Sequence, residues 1–485
     1  MSDIKRNYFY NVLVNIFNTV TPLVSFPYIS RILMPDGVGK AQFLLSFAQY
    51  FVVLASLGIP LYGIREIAKA RHNRLSLSKT FLEIFIINIL SSVLISFVYL
   101  LVVFNYQPFT IEYPSFLLVG LLVFLSFMNT DWFYSGLEQF KQISLRSMIV
   151  KILSLIGLFL FVKTKADLWI YLSIAVSSFL GNQLWNVWML KKHVVFSFHG
   201  LRIYQHVRPI MLNFGVLFAI SIYTVLDTIL LGLLANDASV GYYSAAVKIS
   251  KVIIPIITAL GVVLLPRLSI AMSQNNQEEV QYLAEKSFWY INMLAIPAFL
   301  GLFVFADEFI WLISGPAFGE SILPMKILSP LVLIIGLAHF FAFQILIPAK
   351  KEKQYLFAVV VGGGCCLVLN ILLVPHYQAV GAAIANLVTE LVITVISVLF
   401  VKRFFRIDLT WGKFMFKVFY VAILFSLIAM ACRIVSTNAF IILALGIPLC
   451  GILYFCTVFF LERDQYLKDL LAIQRQKWFS SHKLK

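Results

Sequence analysis

Apolar positions in this chain come in long, nearly unbroken runs, parted by short clusters of charge, glycine, proline and asparagine. They do not alternate as in a half-buried strand, nor form the one-sided stripe of a soluble helix. A helix needs roughly 20 mostly apolar residues to cross a bilayer. Runs of that length recur along the whole chain. The breaks between them predict fourteen spans, at about 8–33, 41–63, 80–104, 114–131, 144–163, 167–190, 209–235, 242–265, 288–313, 324–349, 355–374, 379–401, 414–435 and 438–461. The pattern therefore predicts an all-α integral membrane protein of about 14 transmembrane helices. Connecting loops are short. The largest lie at 191–208 and 267–287, and the second contains NNQEEVQYLAEKSF, which reads as a short amphipathic surface helix.

The basic residues test this count. With the N-terminus inside, 29 of the 38 lysines and arginines fall on the inner side, six on the outer side and three within spans. That is the asymmetry of the positive-inside rule, and one missed span would scramble it. Both termini are thus expected to be cytoplasmic. The first 30 residues carry Asn15, Asn18 and Pro22 inside the apolar run and no small-residue cleavage site, so they read as a retained first helix.

Composition agrees. Of 485 residues, 61% are hydrophobic and 12% charged, against about 25% charged in soluble domains. The net charge of +16 is accounted for by sidedness and calls for no nucleic-acid partner. All five cysteines lie in apolar runs, without the spacing of a disulfide framework or a metal site.

RILMPDGVGKAQF follows the first span and GLLANDASVGYYSA the seventh. Aligning Gly39 with Gly241 gives an offset of 202 residues, which pairs Ser46 with Lys248 and Gln49 with Lys251. Two parallel six-span halves follow, a layout of two-lobed transporters with substrate between the lobes. The expected organisation is an N-lobe at 1–190, a cytoplasmic linker at 191–208, a C-lobe at 209–401, two further helices at 402–461 and a basic tail at 462–485.

Enzyme signatures are missing. There is no phosphate-binding G-x-x-x-x-G-K-[ST] loop, no H-E-x-x-H and no serine elbow. The glycines at 362–364 sit in a span and suit close helix packing. Candidate chemistry lies instead in polar groups inside spans, where an ionisable side chain costs about 2.5–3.5 kcal/mol on insertion scales. Ser244, Lys248, Lys251, Pro255 and Thr258 share one helical face, as do Ser221, Thr224, Asp227 and Thr228. These faces are expected to line a hydrated cavity with Asp227 near Lys248 or Lys251; a structural ion pair joining two helices is the alternative. Asn15, Asn18, Arg31, Lys151, Asn386 and Glu390 complete the cavity set, with helix–helix hydrogen bonding or snorkelling as the plain alternatives. Glu390 is a candidate for a coupling proton or sodium ion. No metal or organic cofactor is expected.

NTDWFYSGLEQFKQISLRS, at 129–147, falls between the fourth and fifth spans on the inner side. Asp131, Trp132, Glu138 and Arg146, with Arg65 from the preceding inner loop, are candidate cytoplasmic gate residues. A solvated turn anchored by aromatics is the competing reading.

FPYISRILMPDGVGKAQF and DWFYSGLEQFKQISLRSMIVKILSLIGLFLFVK, after an asparagine-rich first helix, resemble the Wzx-type polysaccharide flippases. These form the polysaccharide-transporter branch of the multidrug/oligosaccharidyl-lipid/polysaccharide exporter superfamily. The resemblance covers essentially the whole chain. It implies two lobes in a pseudo-twofold V and a multi-pass protein of the bacterial inner membrane. It implies an undecaprenyl-diphosphate-linked oligosaccharide as cargo, moved outward for O antigen, lipopolysaccharide or a related surface polymer. It further implies ion-coupled alternating access, surrounding membrane lipids, and a polysaccharide polymerase and chain-length proteins as partners. Mostly cationic cavity candidates suit a diphosphate, and Trp132, Tyr134, Tyr223, Tyr242 and Tyr243 offer flat faces for sugars. Lipid II flippases carry arginines early in helix 1, whereas NVLVNIFNTVTPLVSF here has none. The multidrug branch often has a helix-1 aspartate, where this chain has asparagines. An ion-coupled exporter of small amphipathic drugs is the alternative function.

Overall fold

Proline and left-handed residues set where the long helices break. The computed structural model describes residues 3–106, 112–274, 276–405 and 411–458. Among the described residues there are helices and no strand. In chain order they are α1 (Asp3–Ser56), α2 (Ile59–Ala70), α3 (Arg74–Asn105), α4 (Tyr113–Phe124), α5 (Asp131–Gly136), α6 (Phe140–Phe161), α7 (Leu168–Leu190), α8 (Tyr204–Leu234) and α9 (Asp237–Lys251). There follow α10 (Ile254–Ser273), α11 (Gln277–Val304), α12 (Ala306–Ile313), α13 (Ile322–Leu328), α14 (Leu331–His339), α15 (Glu352–Phe404), α16 (Trp411–Val435) and α17 (Ala439–Cys456). The expected tail at 462–485 lies outside the described residues.

α1 breaks at Met34, with φ 60°, directly before Pro35. Proline disfavours helical geometry in the residue before it and offers no N–H to close the preceding turn. α15 breaks at Gln378, with φ 47°, three residues after Pro375. Each of these two helices is long enough for two crossings. Among the described residues, nine helices are long and apolar enough to cross a membrane, ten if the bent pair Pro316–Leu328 and Leu331–Leu346 forms one span. The chain is a multi-pass membrane protein.

Two sequence expectations need correction. The eighth expected span is still a candidate crossing, at Asp237–Ala259, but it is broken: α9 ends at Lys251 and α10 starts at Ile254, next to Pro255. Pro255 has no N–H for the carbonyl of Lys251, so the face Ser244–Lys248–Lys251–Pro255–Thr258 is interrupted. NNQEEVQYLAEKSF, in turn, is not a separate surface helix. From Gln277 it forms the first turns of the 28-residue α11, which Asn276 caps by accepting from Glu279 N at 3.1 Å.

The chain divides into two units, Met1–Ser244 with Gly363–Asn386, and Ala245–Gly362 with Leu387–Lys485. In the first, α3 shows how a membrane helix inverts soluble packing. Its inner side buries Asn88, Ser91, Ser92 and Ser96, while Leu90, Val93, Leu94 and Phe97 are exposed. Small polar residues at helix contacts and apolar ones outside suit a lipid solvent. Gly39 and Gly241 sit at one backbone crossing: a Cβ on Gly39 would strike Asp237 O, and one on Gly241 would strike Pro35 O. The two glycines that marked the sequence repeat are thus reciprocal partners.

In the second unit, Arg433 grips Glu308 in two bonds of 2.7 and 2.9 Å, and Lys326 pairs with Asp307 at 2.9 Å. A π-helical turn, Phe340–Leu346, turns Gln344 inward to accept from Ser287. Gly362 packs on Ile393, in keeping with close helix packing.

Candidate functional site

The first unit holds three buried networks, each built around a carboxylate. Asp227, on α8, is 2% exposed. Tyr243 of α9 donates to its Oδ2 at 3.1 Å and Asn386 donates to the same oxygen. Asn370 Nδ2 and Cys366 Sγ reach Oδ1 at 2.7 and 3.0 Å. The break at Gln378 lets both limbs of α15 meet one carboxylate, Cys366 and Asn370 from before it and Asn386 from after it. Ser239 donates to Gln378 Oε1 at 2.9 Å and ties the break to α9. All four donors to Asp227 are neutral, so the expected lysine pairing is not what holds this acid. Asn370 Oδ1 and Asn386 Oδ1 are buried without a hydrogen-bond partner. Unpaired buried acceptors beside a carboxylate are rare in a folded interior. Each belongs to an amide whose nitrogen faces Asp227, so turning either amide would set an oxygen beside the carboxylate. Among the described residues no cluster of three His, Cys, Asp or Glu side chains suits a metal ion.

The second centre joins α5, α6 and α7. Arg146, 4% exposed, donates from Nη2 to Asp131 Oδ1 at 2.7 Å, from Nε to Asn182 Oδ1 at 3.1 Å and from Nη1 to Asn186 Oδ1. Asn186 also donates to Asp131 Oδ1 at 2.9 Å, and Tyr134 Oη to Asn186 O at 2.6 Å. Trp132 is fixed between Phe81, stacked at 5.6 Å, and Gly63. A cavity of about 190 Å³ adjoins it, lined by Asn88, Asn129, Asp131 and Trp132. Trp132 Nε1 and Asn88 Oδ1, both on that lining, have no protein partner, and the space is enough for several waters.

A third buried network reaches the 191–203 connection. Glu83 Oε2 lies 2.8 Å from His206 Nε2 and 3.0 Å from Gln205 Nε2, and Tyr62 Oη lies 2.7 Å from His206 Nδ1. Glu83 also accepts from Arg202 N, and Ser78 accepts from Val195 N at 2.9 Å. α3 thereby pins both ends of the connection.

The other sequence candidates are dispersed. Lys151 donates to Asn18 across α6 and α1. Arg31 is exposed and donates to Pro27 O at 2.7 Å on its own helix. Lys248 and Lys251 occupy the last turn of α9, where cations complement the helix dipole. Glu390 is buried in the second unit. The side chains of Asn15 and Tyr223 lie outside the described residues. The five gate candidates do not form one cluster. Arg65 bonds Glu66 at 3.2 Å, Glu138 bonds Arg71 at 2.6 Å, and Asp131 with Arg146 forms the buried centre beside Trp132.

Sequence reading missed Tyr243, Cys366 and Asn370 as partners of Asp227, Asn182 and Asn186 as partners of Arg146, and the Glu83–His206 pair. Asn182 and Asn186 are four residues apart in one apolar run, a readable signal. Cys366 had looked like apolar filler.

The fold places the chain in a known class. It is similar to the inward-closed lipid II flippase MurJ, with TM-score 0.69, 16% identity, and coverage of 94% of this chain and 99% of that one. It is also similar to an inward-facing multidrug resistance transporter of the MATE family, with TM-score 0.57, 14% identity, and coverage of 79% and 94%. The architecture is thus a membrane-transporter fold. Residues 4–272 match the polysaccharide biosynthesis protein family, and the chain belongs to that family. Among curated relatives, an Escherichia coli (strain K12) protein named "Putative O-antigen transporter" is 26% identical over 423 residues, covering 83% of this chain and 97% of the relative. The Staphylococcus aureus capsular polysaccharide biosynthesis protein CapF is 22% identical over 410 residues, covering 82% and 100%.

Proposed function

We propose that this protein is a flippase for undecaprenyl-diphosphate-linked oligosaccharide repeat units. On this reading it carries them from the cytoplasmic to the outer face of the bacterial inner membrane for O-antigen or related polymer assembly. The match to an O-antigen-transporter relative over nearly that relative's whole length carries the reading. The family membership supports it, and the MurJ-like fold agrees. The mechanism is alternating access of two six-helix lobes, with fourteen spans in all and both termini cytoplasmic. Membrane lipids, a polymerase and chain-length proteins are its expected neighbours. In the proposed cycle the Asp227 pocket takes the coupling proton or sodium ion. Asp227, with the amide oxygens of Asn370 and Asn386, supplies oxygen donors and no competing positive charge. The Asp131–Arg146 centre serves as the inner gate, because breaking its bonds frees α5 from α6 and α7.

The deciding experiment is deletion of the gene followed by analysis of lipid-linked glycan. Accumulation of complete repeat units on the carrier, with loss of surface polymer, is expected. Intact surface polymer with new sensitivity to cationic dyes would replace this reading with drug export.

A further inference from the structure

At the end of the first unit where α3 and α6 begin and α7 ends, a cavity of about 540 Å³ opens between them. Five of its lining residues are basic, Arg71, His72, Arg74, Lys192 and His193, and none is acidic. Arg71 is partly neutralised by Glu138 at 2.6 Å. Among the described residues neither Arg74 nor Lys192 has an acidic partner. Gathering like charges into one concavity costs energy unless an anion offsets it. The cost is visible at His193, which burial, and then Lys192 and Arg74, hold below the ordinary imidazole value.

The position narrows the anion. Trp185 and Trp188, in the last turns of α7, are exposed. Lys192 lies 5.5 Å from the centre of the Trp188 ring. Exposed tryptophans at a helix end mark the headgroup level of a bilayer, and basic pockets between helices at that level hold lipid phosphates. We propose that this pocket binds the phosphate of a membrane-lipid headgroup, with Arg74 and Lys192 as its principal contacts. Two lipids carry that chemistry, an ordinary anionic phospholipid and a polyprenyl diphosphate. The inference stands apart from transport: a protein that fails to flip lipid-linked oligosaccharide yet binds lipid here would overturn the proposed function and leave this site intact.

The test uses the full-length protein in detergent micelles, read by native mass spectrometry with titrated phosphatidylglycerol or undecaprenyl diphosphate. The wild type should retain a bound lipid. R74E/K192E should weaken its retention about tenfold or more, as loss of two charge-assisted contacts requires. R74K/K192R should restore it, and K165E, away from the pocket, should leave it unchanged. Preference for phosphatidylglycerol assigns the site to a bilayer phospholipid, and preference for undecaprenyl diphosphate assigns it to a carrier lipid. Equal retention by wild type and R74E/K192E would overturn the proposal, as would equal weakening by K165E. Inorganic pyrophosphate binding as tightly as either lipid would overturn the lipid assignment.

Discussion

Asp227 and Asp131 are both carboxylates tied to several helices of the same unit, yet they are held in opposite ways. Asp131 shares its charge with a buried arginine, and two asparagines complete that centre. Asp227 is more deeply buried and receives four hydrogen bonds, none from a cation. A buried charge is tolerated when it is paired or fully hydrogen-bonded. The first solution ends with a neutral centre that holds helices together. The second has no cation of its own, and two amide oxygens beside it lack hydrogen-bond partners. On the proposed function, the difference separates a carboxylate that closes a gate from one that takes an ion.

The sharpest way to break that contrast is Arg146→Ala. It strands Asp131 and removes the donor that Asn182 and Asn186 share. Removing one partner of a buried pair costs 3–5 kcal/mol. Water still reaches Asp131, whose side chain is 43% exposed, so the lower end, about 3 kcal/mol, is expected in thermal unfolding of the purified protein. A cost below about 1 kcal/mol would show that the network holds little.

Tyr243→Phe removes one bond to the Asp227 carboxylate without changing packing. Hydrogen bonds to charged groups are worth about 1.5–3 kcal/mol, so a loss of about 1.5 kcal/mol is expected, from the same unfolding assay. If Tyr243→Phe leaves both stability and ion dependence unchanged, Tyr243 is not part of the site.

Asp227→Asn should cost less, about 1 kcal/mol or below. The new amide N–H₂ would meet donors, but rotating the Asn370 or Asn386 amide turns an unpaired oxygen toward it. Transport in proteoliposomes should nevertheless fall about tenfold or more and lose its dependence on the ion gradient. Asp227→Asn as destabilising as Arg146→Ala would end the distinction between the two centres.

What the sequence disclosed follows the range of each interaction. Helical class, membrane placement and the breaks at Met34–Pro35 and near Pro375 rest on local pattern and were legible. Gly39 and Gly241 were found as a repeat, though not as the two sides of one crossing. Asp131 and Arg146 are legible as charges at the inner ends of two neighbouring spans, flanking one short turn. Their true partners, Asn182 and Asn186, are neutral and lie 36 and 40 residues beyond Arg146. The Asp227 pocket draws on residues up to 159 positions away. No helical period announces it, and its donors are residue types that usually serve packing. Asp227 was expected near Lys248 or Lys251; its hydrogen bonds come from four neutral donors instead, which suffice to hold a buried carboxylate.

The smallest effect lies at the rim of the Asp131 centre. Glu138 follows α5 in a left-handed conformation, φ 59°. Gln139 N bonds Tyr134 O at 2.9 Å across it, closing the helix in a turn that usually takes glycine at that position. Glu138→Gly removes a strain of about 1–2 kcal/mol but frees a more flexible unfolded chain, at about 0.5–1 kcal/mol. It also gives up the exposed Arg71 pair, worth about 0.2–1 kcal/mol. The net change should stay within about 0.5 kcal/mol of wild type. Glu138→Ala keeps the strain and still loses the pair, so it should be the less stable of the two. An alanine variant at least as stable as the glycine variant would show that the turn is unstrained. Both should bind lipid phosphate more tightly than wild type, because Arg71 is then free to face the basic pocket.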